Sequence, residues 1–379
     1  MVLIFKRIYG KLLVYKREVD MDYTITENTE AASTKAYNCP NCGAELKFNP
    51  NKNKLCCEFC ESEFSAEEIE NKHGEDTGYE KQKKSEEYCN IMNEFCCPNC
   101  GAEILSDDDT AADICVYCQS PVVHKGKLSG QMMPDKIIPF RYGKKEAESR
   151  FRKFASAKWF VPSSFKSKKH ADLIRGVYYP FWVTDADTYS ELSANCTRIR
   201  VWRSGNTEFT ETSRYNVVRG GSIHFEDIVT SAYSKSDKEM LEGVLPYPSS
   251  SLIPFSMAYL SGFKANKRDI ERDAVSDEVK SRMKDYADTL LSATISGYTG
   301  VTKRSLGVNV HSAHWEYSLM PIWILNYVTP KKTYKYAMNG DTGKIYGELP
   351  VSPKKVLIAC AAVFAVVAPI VGLIGGMFL

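Results

Sequence analysis

The chain has 379 residues, of which 44% are hydrophobic and 25% charged, with a formal net charge of +2; this is long enough for two or three domains with sizeable cores. Its thirteen cysteines point to metal rather than a disulfide framework, since free thiols persist only in a reducing compartment. The near-zero charge hides a division: residues 36–124 carry 18 acidic and 7 basic side chains, a net of −11, and the remainder sums to +13, so the front of the chain repels a phosphate backbone.

Residues 1–35 open with Val2-Leu3-Ile4-Phe5, followed by Lys6, Arg7, Lys11, Lys16 and Arg17. The apolar run is too short for a signal peptide and precedes the charge. Two readings stand for the first twenty residues. They form a basic amphipathic helix on a membrane surface, or they are a disordered gene-model extension with Met21 as the genuine start.

Cys39-Pro40-Asn41-Cys42-Gly43-Ala44-Glu45 returns as Cys97-Pro98-Asn99-Cys100-Gly101-Ala102-Glu103. Each copy is closed by a second pair, Cys57/Cys60 and Cys115/Cys118, and all four positions share an offset of 58. A structural zinc is tetrahedral and takes four soft thiolates, and C-x2-C lets one tight turn supply two of them. The spacing predicts two zinc ribbons, residues 36–65 and 95–124, holding two structural ions. The ligands are Cys39, Cys42, Cys57 and Cys60 in the first, and Cys97, Cys100, Cys115 and Cys118 in the second. Two disulfides per copy, or plain buried cysteines, are the competing reading, and duplicated pairs in one register argue against both. Gly43 and Gly101 stand where the turn after the second ligand commonly needs positive φ. The offset maps Cys56 onto Ile114 and Cys96 onto Asn38, which leaves Cys56, Cys96 and Cys89 as spare thiols. Around the second ribbon, Glu94, Glu103, Asp107, Asp108, Asp109 and Asp113 meet no Lys or Arg before His124. Residues 66–94 are dense in Glu and Lys with few apolar positions. They read as a solvated linker or marginal helix that lets the ribbons move semi-independently.

Residues 135–350 read as a β-rich central domain with a few helices. Ile137-Ile138-Pro139-Phe140 suggests an edge strand or an extended entry. Lys144 to Lys158 predicts a helix, with Ala147, Phe151 and Phe154 on one stripe. Tyr178 to Val183 opens a β-rich region reaching Tyr233, with alternation in Thr197 to Arg203 and hairpin turns expected at Gly205-Asn206 and Gly220-Gly221. Asp269 to Ile295 predicts the longest helix, with Val275, Val279, Met283, Tyr286, Leu290 and Leu291 on one side. Strands resume near Tyr298, run through Leu319 to Leu325, and close in a hairpin at Asn339-Gly340-Asp341-Thr342-Gly343. Tyr179-Pro180-Phe181-Trp182-Val183 and Met320-Pro321-Ile322-Trp323-Ile324 echo each other, either as ordinary aromatic core or as a weak internal duplication.

Residues 356–379 carry no charge, and at 1.5 Å per residue they span about 36 Å against a hydrocarbon core of about 30 Å. This predicts one C-terminal transmembrane helix, a tail anchor in the cell membrane. Lys354 and Lys355 would place the preceding domains on the cytoplasmic side. Ala368, Gly372 and Gly376 form a small-residue row that could meet a partner helix. The basic remainder, +12 over residues 125–379, would face anionic lipid.

Catalytic signatures are missing: no phosphate loop, no nucleophile elbow and no H-E-x-x-H. His311 and His314 are i, i+3 in a strand-like stretch, on opposite faces. With the ribbons, the Tyr178–Val183 and Met320–Leu325 strands, Tyr259–Phe263 and the closing Met338–Pro350 motif in view, the chain resembles the bacterial TFIIB-type zinc-ribbon membrane proteins. These are often mislabelled as primosomal helicase-like. The resemblance covers nearly everything from Tyr37 onward. It implies a cytoplasmic ribbon, a β-rich domain, a membrane segment and no established catalytic residues, and some similar proteins recruit phage-shock-type envelope-stress proteins. The expectation is an α+β, non-enzymatic, tail-anchored scaffold whose ribbons bind a protein partner, with no small-molecule substrate. A membrane-associated nucleic-acid-binding or transcription-related protein is the alternative.

Overall fold

A computed structural model describes residues 3–8, 11–15, 37–70, 78–106, 114–128, 132–163, 165, 173–235, 237–328 and 332–377. At the front, β1 (Leu3–Ile8) and β2 (Lys11–Tyr15) pair as an extended hairpin, not the helix of one sequence reading. The first four-cysteine segment supplies a small antiparallel sheet of β3 (Leu46–Asn49), β4 (Lys54–Cys57) and β5 (Glu63–Phe64). Two helices follow, α1 (Ala66–Glu70) and α2 (Gly78–Ile91). The end of α2 is no solvated tether, because Tyr88, Ile91 and the following Met92 are buried. The second four-cysteine segment is built from β6 (Asn93–Cys96), β7 (Glu103–Ser106) and β8 (Val123–Lys127), with β6 between the other two.

The body hangs on two strands. β10 (Arg175–Ser204) and β14 (Gly300–Val328) run antiparallel from the Arg175↔Ile324 pair to the Thr197↔Gly300 pair. Near their base both faces are covered. Tyr178, Trp182, Leu319 and Trp323 turn to one side, where α3 (Lys144–Ser156) lays Ala147, Phe151 and Ala155. Tyr179, Phe181, Val183, Met320 and Ile322 turn to the other, beneath Met240, Leu241 and Val244 of α4 (Lys238–Val244). A strand buried on both faces needs apolar residues at every position, which is why Tyr178 to Val183 reads as one continuous run. Further out only one face is covered. There α5 (Arg272–Ala293) sets Val279, Met283 and Ala287 against Ala186, Ile223 and Phe225. The pattern accordingly becomes period two: Thr188, Ser190, Leu192, Ala194 and Cys196 are buried while Asp187, Tyr189, Glu191 and Asn195 are exposed.

The echoed proline motifs occupy matching places. β9 (Lys136–Ile137) runs parallel to β14 at Ser318 and Leu319 and also takes β12 (Ile253–Pro254) on its other side, while β15 (Thr333–Asn339) runs antiparallel to β14 from Ile322 onward. β13 (Lys264–Asn266) runs parallel to β10 at Val177 and Tyr178, and β11 (Thr207–Ser231) runs antiparallel to it from Phe181 onward. Pro321 and Pro180 therefore each sit where the outer neighbour changes, so the missing N–H interrupts no ladder. Two residues on, Trp182 Nε1 donates to the Ile270 carbonyl (2.9 Å) and Trp323 Nε1 to the Tyr142 carbonyl (2.9 Å). The chain closes with β16 (Ile345–Gly347) and α6 (Pro353–Met377). In the β15–β16 turn, Asn339 Oδ1 accepts from the amides of Asp341 and Thr342 at 2.9 and 2.8 Å, and Gly343 takes φ +72°.

Two further expectations are corrected. Gly205-Asn206 does turn between β10 and β11, but Gly220-Gly221 lies inside β11, opposite Glu191 and Ser190. A Cβ on Gly220 would come within 2.9 Å of the Tyr189 hydroxyl, so this glycine makes room for a cross-strand ring and does not reverse the chain. The predicted membrane span is not supported either: no helix is long and apolar enough to cross a membrane among the described residues. The cell-membrane localisation and the tail anchor rested on that span and fall with it. Gly372 and Gly376 lie outside the described side chains.

If the two tryptophans play equivalent parts, Trp182→Phe and Trp323→Phe should each leave a partly buried carbonyl unpaired. Each is expected to cost about 2 kcal/mol, read as a drop of several degrees in Tm by calorimetry. An unchanged Tm in either variant would refute the equivalence.

Candidate metal centres

The two knuckles of each repeat are turns closed by backbone hydrogen bonds. Gly43 N donates to the Cys39 carbonyl and Gly101 N to the Cys97 carbonyl, both at 2.8 Å, with φ of +76° and +73°. The second knuckles hold the same conformation without glycine: Glu61 (φ +57°) and Gln119 (φ +61°) donate to the Cys57 and Cys115 carbonyls. These two positions are also 58 apart. Sequence reasoning missed them, because a left-handed Glu or Gln has no compositional signal.

In both repeats the four thiols converge, with all Sγ atoms of a set within 4.8 Å of one another. Cys39 lies 3.4 Å from Cys60 and Cys42 lies 3.5 Å from Cys57; the matching pairs Cys97–Cys118 and Cys100–Cys115 measure 3.4 and 3.6 Å. A tetrahedral zinc with bonds of about 2.3 Å requires sulfurs about 3.8 Å apart, so both sets fit a thiophilic tetrahedral ion. Cys39, Cys57, Cys97 and Cys115 are buried and fix each set to its small core. Cys56, Cys89 and Cys96 join neither set.

A second layer is duplicated too. Asn41 Nδ2 donates to Ser62 Oγ (2.8 Å) and Asn99 Nδ2 to Ser120 Oγ (3.1 Å). The Ser62 hydroxyl and amide hold the Cys60 thiol down at about 6. In Cys118 burial pushes the thiol up, but the Ser120 hydroxyl and amide outweigh it and leave it at about 6. The Ala44 amide pulls Cys42 down, yet its neighbours Cys57 and Cys60 drive it up to about 12. Each set thus contains one thiol primed to ionise first, and metal supplies the charge that ionises the others.

The repeats attach to the body by different faces. The first docks through its strands: Leu46 and Phe48 share a cluster with Ala258, Phe48 meets the Tyr259 ring edge-on at 5.0 Å, and Ser261 Oγ donates to the Leu46 carbonyl at 2.5 Å. The Tyr259–Phe263 motif is thereby explained as its seat. The second docks through strand pairing of β7 with β13 and through its second knuckle. There the Tyr117 hydroxyl lies 2.9 Å from that of Tyr179 and 2.8 Å from Asn266 Oδ1. Lys235 and Lys264 from the body donate to the Gly101 and Ile114 carbonyls.

The acidity expected around the second repeat is partly internal. Glu94, nearly buried, pairs with Lys267 (2.7 Å) and Lys125 (3.0 Å), and Glu103 pairs with Lys125 (2.9 Å). The hydrogen bond from Lys125 leads the causes that hold Glu103 below its usual range. Asp107, Asp108, Asp109 and Asp113 lie outside the described residues. Elsewhere Asp187 accepts from His224 Nδ1 (2.7 Å) and from Ser312 Oγ (2.8 Å). Both bonds end on the carboxylate, so this is not a relay in which the imidazole takes the serine proton. His311 and His314 are both exposed, and neither joins a cluster of potential metal ligands.

Fold and site together define a mixed α+β protein with a sheet-rich body and two four-cysteine groups of the zinc-ribbon kind. Over 354 residues, 91% of this chain and 95% of the relative, the sequence is 31% identical to the Bacillus subtilis (strain 168) protein "Uncharacterized protein YdjG", and the chain belongs to that family. No protein-family profile and no solved structure matches it.

Purified protein is expected to carry two equivalents of zinc by atomic absorption, with one lost in Cys57→Ser and one in Cys115→Ser. Because protons compete with zinc for the four thiolates of each cage, a zinc-indicator titration should show release as the pH is lowered, and a metal content unchanged on acidification would refute the thiolate cages.

Proposed function

We propose that the protein is a non-enzymatic scaffold in which two structural zinc ions shape TFIIB-type ribbons, and that these ribbons bind a protein partner. The observation that carries this reading is the filled coordination set. Each cage offers four thiols, and a zinc with four protein ligands has no position left for an activated water. The net of −11 over residues 36–124 favours a protein over a nucleic acid as partner. The described helix–arm groove, lined by Lys280, Met283, Lys284, Leu306, Val308 and Asn309, supplies neither a nucleophile–base pair nor a carboxylate. Envelope-stress signalling is the setting that the resemblance to the zinc-ribbon family suggests.

Affinity purification of the full chain, beside Cys57→Ser and Cys115→Ser, tests the proposal. A partner should be retained by the parent and lost when either or both cages are broken, with the circular dichroism of the body retained. Sequence-independent DNA binding with a steep salt dependence, abolished by the same substitutions, would overturn the choice of a protein partner.

A further inference from the structure

The duplication lets one repeat report on the other. Position 117 of the second repeat corresponds to position 59 of the first, and both carry an aromatic residue between the cysteines of the second knuckle. Tyr117 is used: its hydroxyl reaches Tyr179 and Asn266, and its ring lies 6.5 Å from that of Tyr233 at 27°. Phe59 is not, with 82% of its surface exposed, more than any other large apolar residue described. A second position repeats the contrast. A Cβ on Gly101 would meet Lys235 Nζ at 3.4 Å, whereas one on Gly43 would meet nothing within 4 Å. The knuckle face covered in the second repeat is bare in the first, because the first docks on the body through its strands instead.

The covering surface seen by the second repeat has a definite chemistry. Tyr179 and Tyr233 form an aromatic cup, and Lys235 and Lys264 rim it, each donating to a knuckle carbonyl. Cations suit this place because zinc with four thiolates leaves two negative charges under the knuckle. Two differences adapt the bare face. Phe59 lacks the hydroxyl that Tyr117 places between Tyr179 and Asn266, so its cup needs no polar floor. Glu58 replaces Val116 and Glu61 replaces Gln119, which adds negative charge. Lys47 lies 3.1 Å from Glu58, in an exposed pair of the kind that contributes little and can exchange partners.

We infer that the knuckle face of the first ribbon, made by Gly43, Glu58, Phe59 and Glu61, is the surface that docks the partner. The partner is a different protein that offers an apolar aromatic cup rimmed by lysine or arginine. This rests on the scaffold reading above and names its contact. A second copy of the chain is disfavoured as occupant, because its own cup is already filled by its own Tyr117. Phe59 has the marks of an interface anchor: a large ring with few conformational states, ringed by charges that set orientation.

The test places p-benzoylphenylalanine at position 59 of the full chain in its native host. Irradiation should give one discrete adduct with another protein, its crosslinked peptide mapping beside aromatic residues and a Lys or Arg. The adduct should fall at least about tenfold when Glu58→Lys reverses the rim charge, a change worth about 1.4 kcal/mol. With the partner purified, Phe59→Ala should weaken binding about thirtyfold by calorimetry while zinc content and circular dichroism stay at parental values. An adduct with a second copy or with nucleic acid, no discrete adduct, or one indifferent to Glu58→Lys would overturn the inference. If Cys57→Ser loses the partner while Phe59→Ala keeps it, the ribbons bind by another face and only this inference falls. A partner kept by Cys57→Ser, Cys115→Ser and Phe59→Ala alike removes the ribbon reading itself.

Discussion

Tyr179 and Met320 face each other near the base of the β10–β14 pair, and the rest of the molecule is arranged around that pairing. Each strand spends its inner edge on the other and divides its outer edge between a short parallel neighbour and a longer antiparallel one. Burying Tyr178, Tyr179, Phe181, Ile322, Trp323 and Ile324 on the two faces contributes about 1.5–3 kcal/mol apiece. Burial alone does not choose the register, however. A one-residue slip exchanges the two faces of a strand, and here both faces are apolar. The polar and proline positions choose it. A slipped β10 would carry Trp182 away from the Ile270 carbonyl and move Pro180 out of the gap between β13 and β11, where its missing N–H does no harm.

The ribbons depend on this frame unequally. Structural zinc contributes about 10–16 kcal/mol in small zinc-finger peptides, on the scale of the whole stability of a domain. In the second ribbon that stabilisation is shared with the body, because β7 extends the main sheet through β13 and the Glu94–Lys267 pair spans the same junction. The first ribbon adds no strand to the main sheet and rests on the Tyr259–Phe263 seat through Leu46 and Phe48. One duplicated motif is therefore spliced into the main sheet in one copy and seated on the surface of the body in the other. The difference comes from which face each copy commits to the body.

Much of the site was legible because its constraints are local. Four thiols at a fixed offset need only two turns each to converge, and turn chemistry lies within a few residues. The helices over 144–156 and 272–293 were legible for the same reason, being periodic over several turns with buried Ala147, Phe151, Val279 and Met283. What escaped was non-local. Gly220-Gly221 looks like a turn, and only the ring of Tyr189 across the strand shows why glycine stands there without one. Glu94 and Glu103 look like exposed acid until Lys267, more than 150 residues away, is brought beside them. The length of β10 and β14 escaped as well, since strands of about 5–6 residues are the norm and an uninterrupted arm carries no stop signal.

The charge of the molecule can now be redistributed. The ion pairs of Glu94 and Glu103 draw on Lys125 and Lys267, so these acids neutralise the junction between ribbon and body and add little field outside it. In the first ribbon Lys52 and Lys54 gather on Glu63 in an exposed cluster. Glu58, held by Lys47 in an exposed pair, and Glu61 stand at the knuckle on either side of Phe59. With the two negative charges that a zinc held by four thiolates would add beneath them, negative charge gathers on the face that the body leaves uncovered. Folding pressure alone gives no reason for this, since exposed like charges beside an anionic cage repel one another and an exposed phenylalanine gains nothing by burial within the chain. A cation-rimmed apolar partner removes both costs at once.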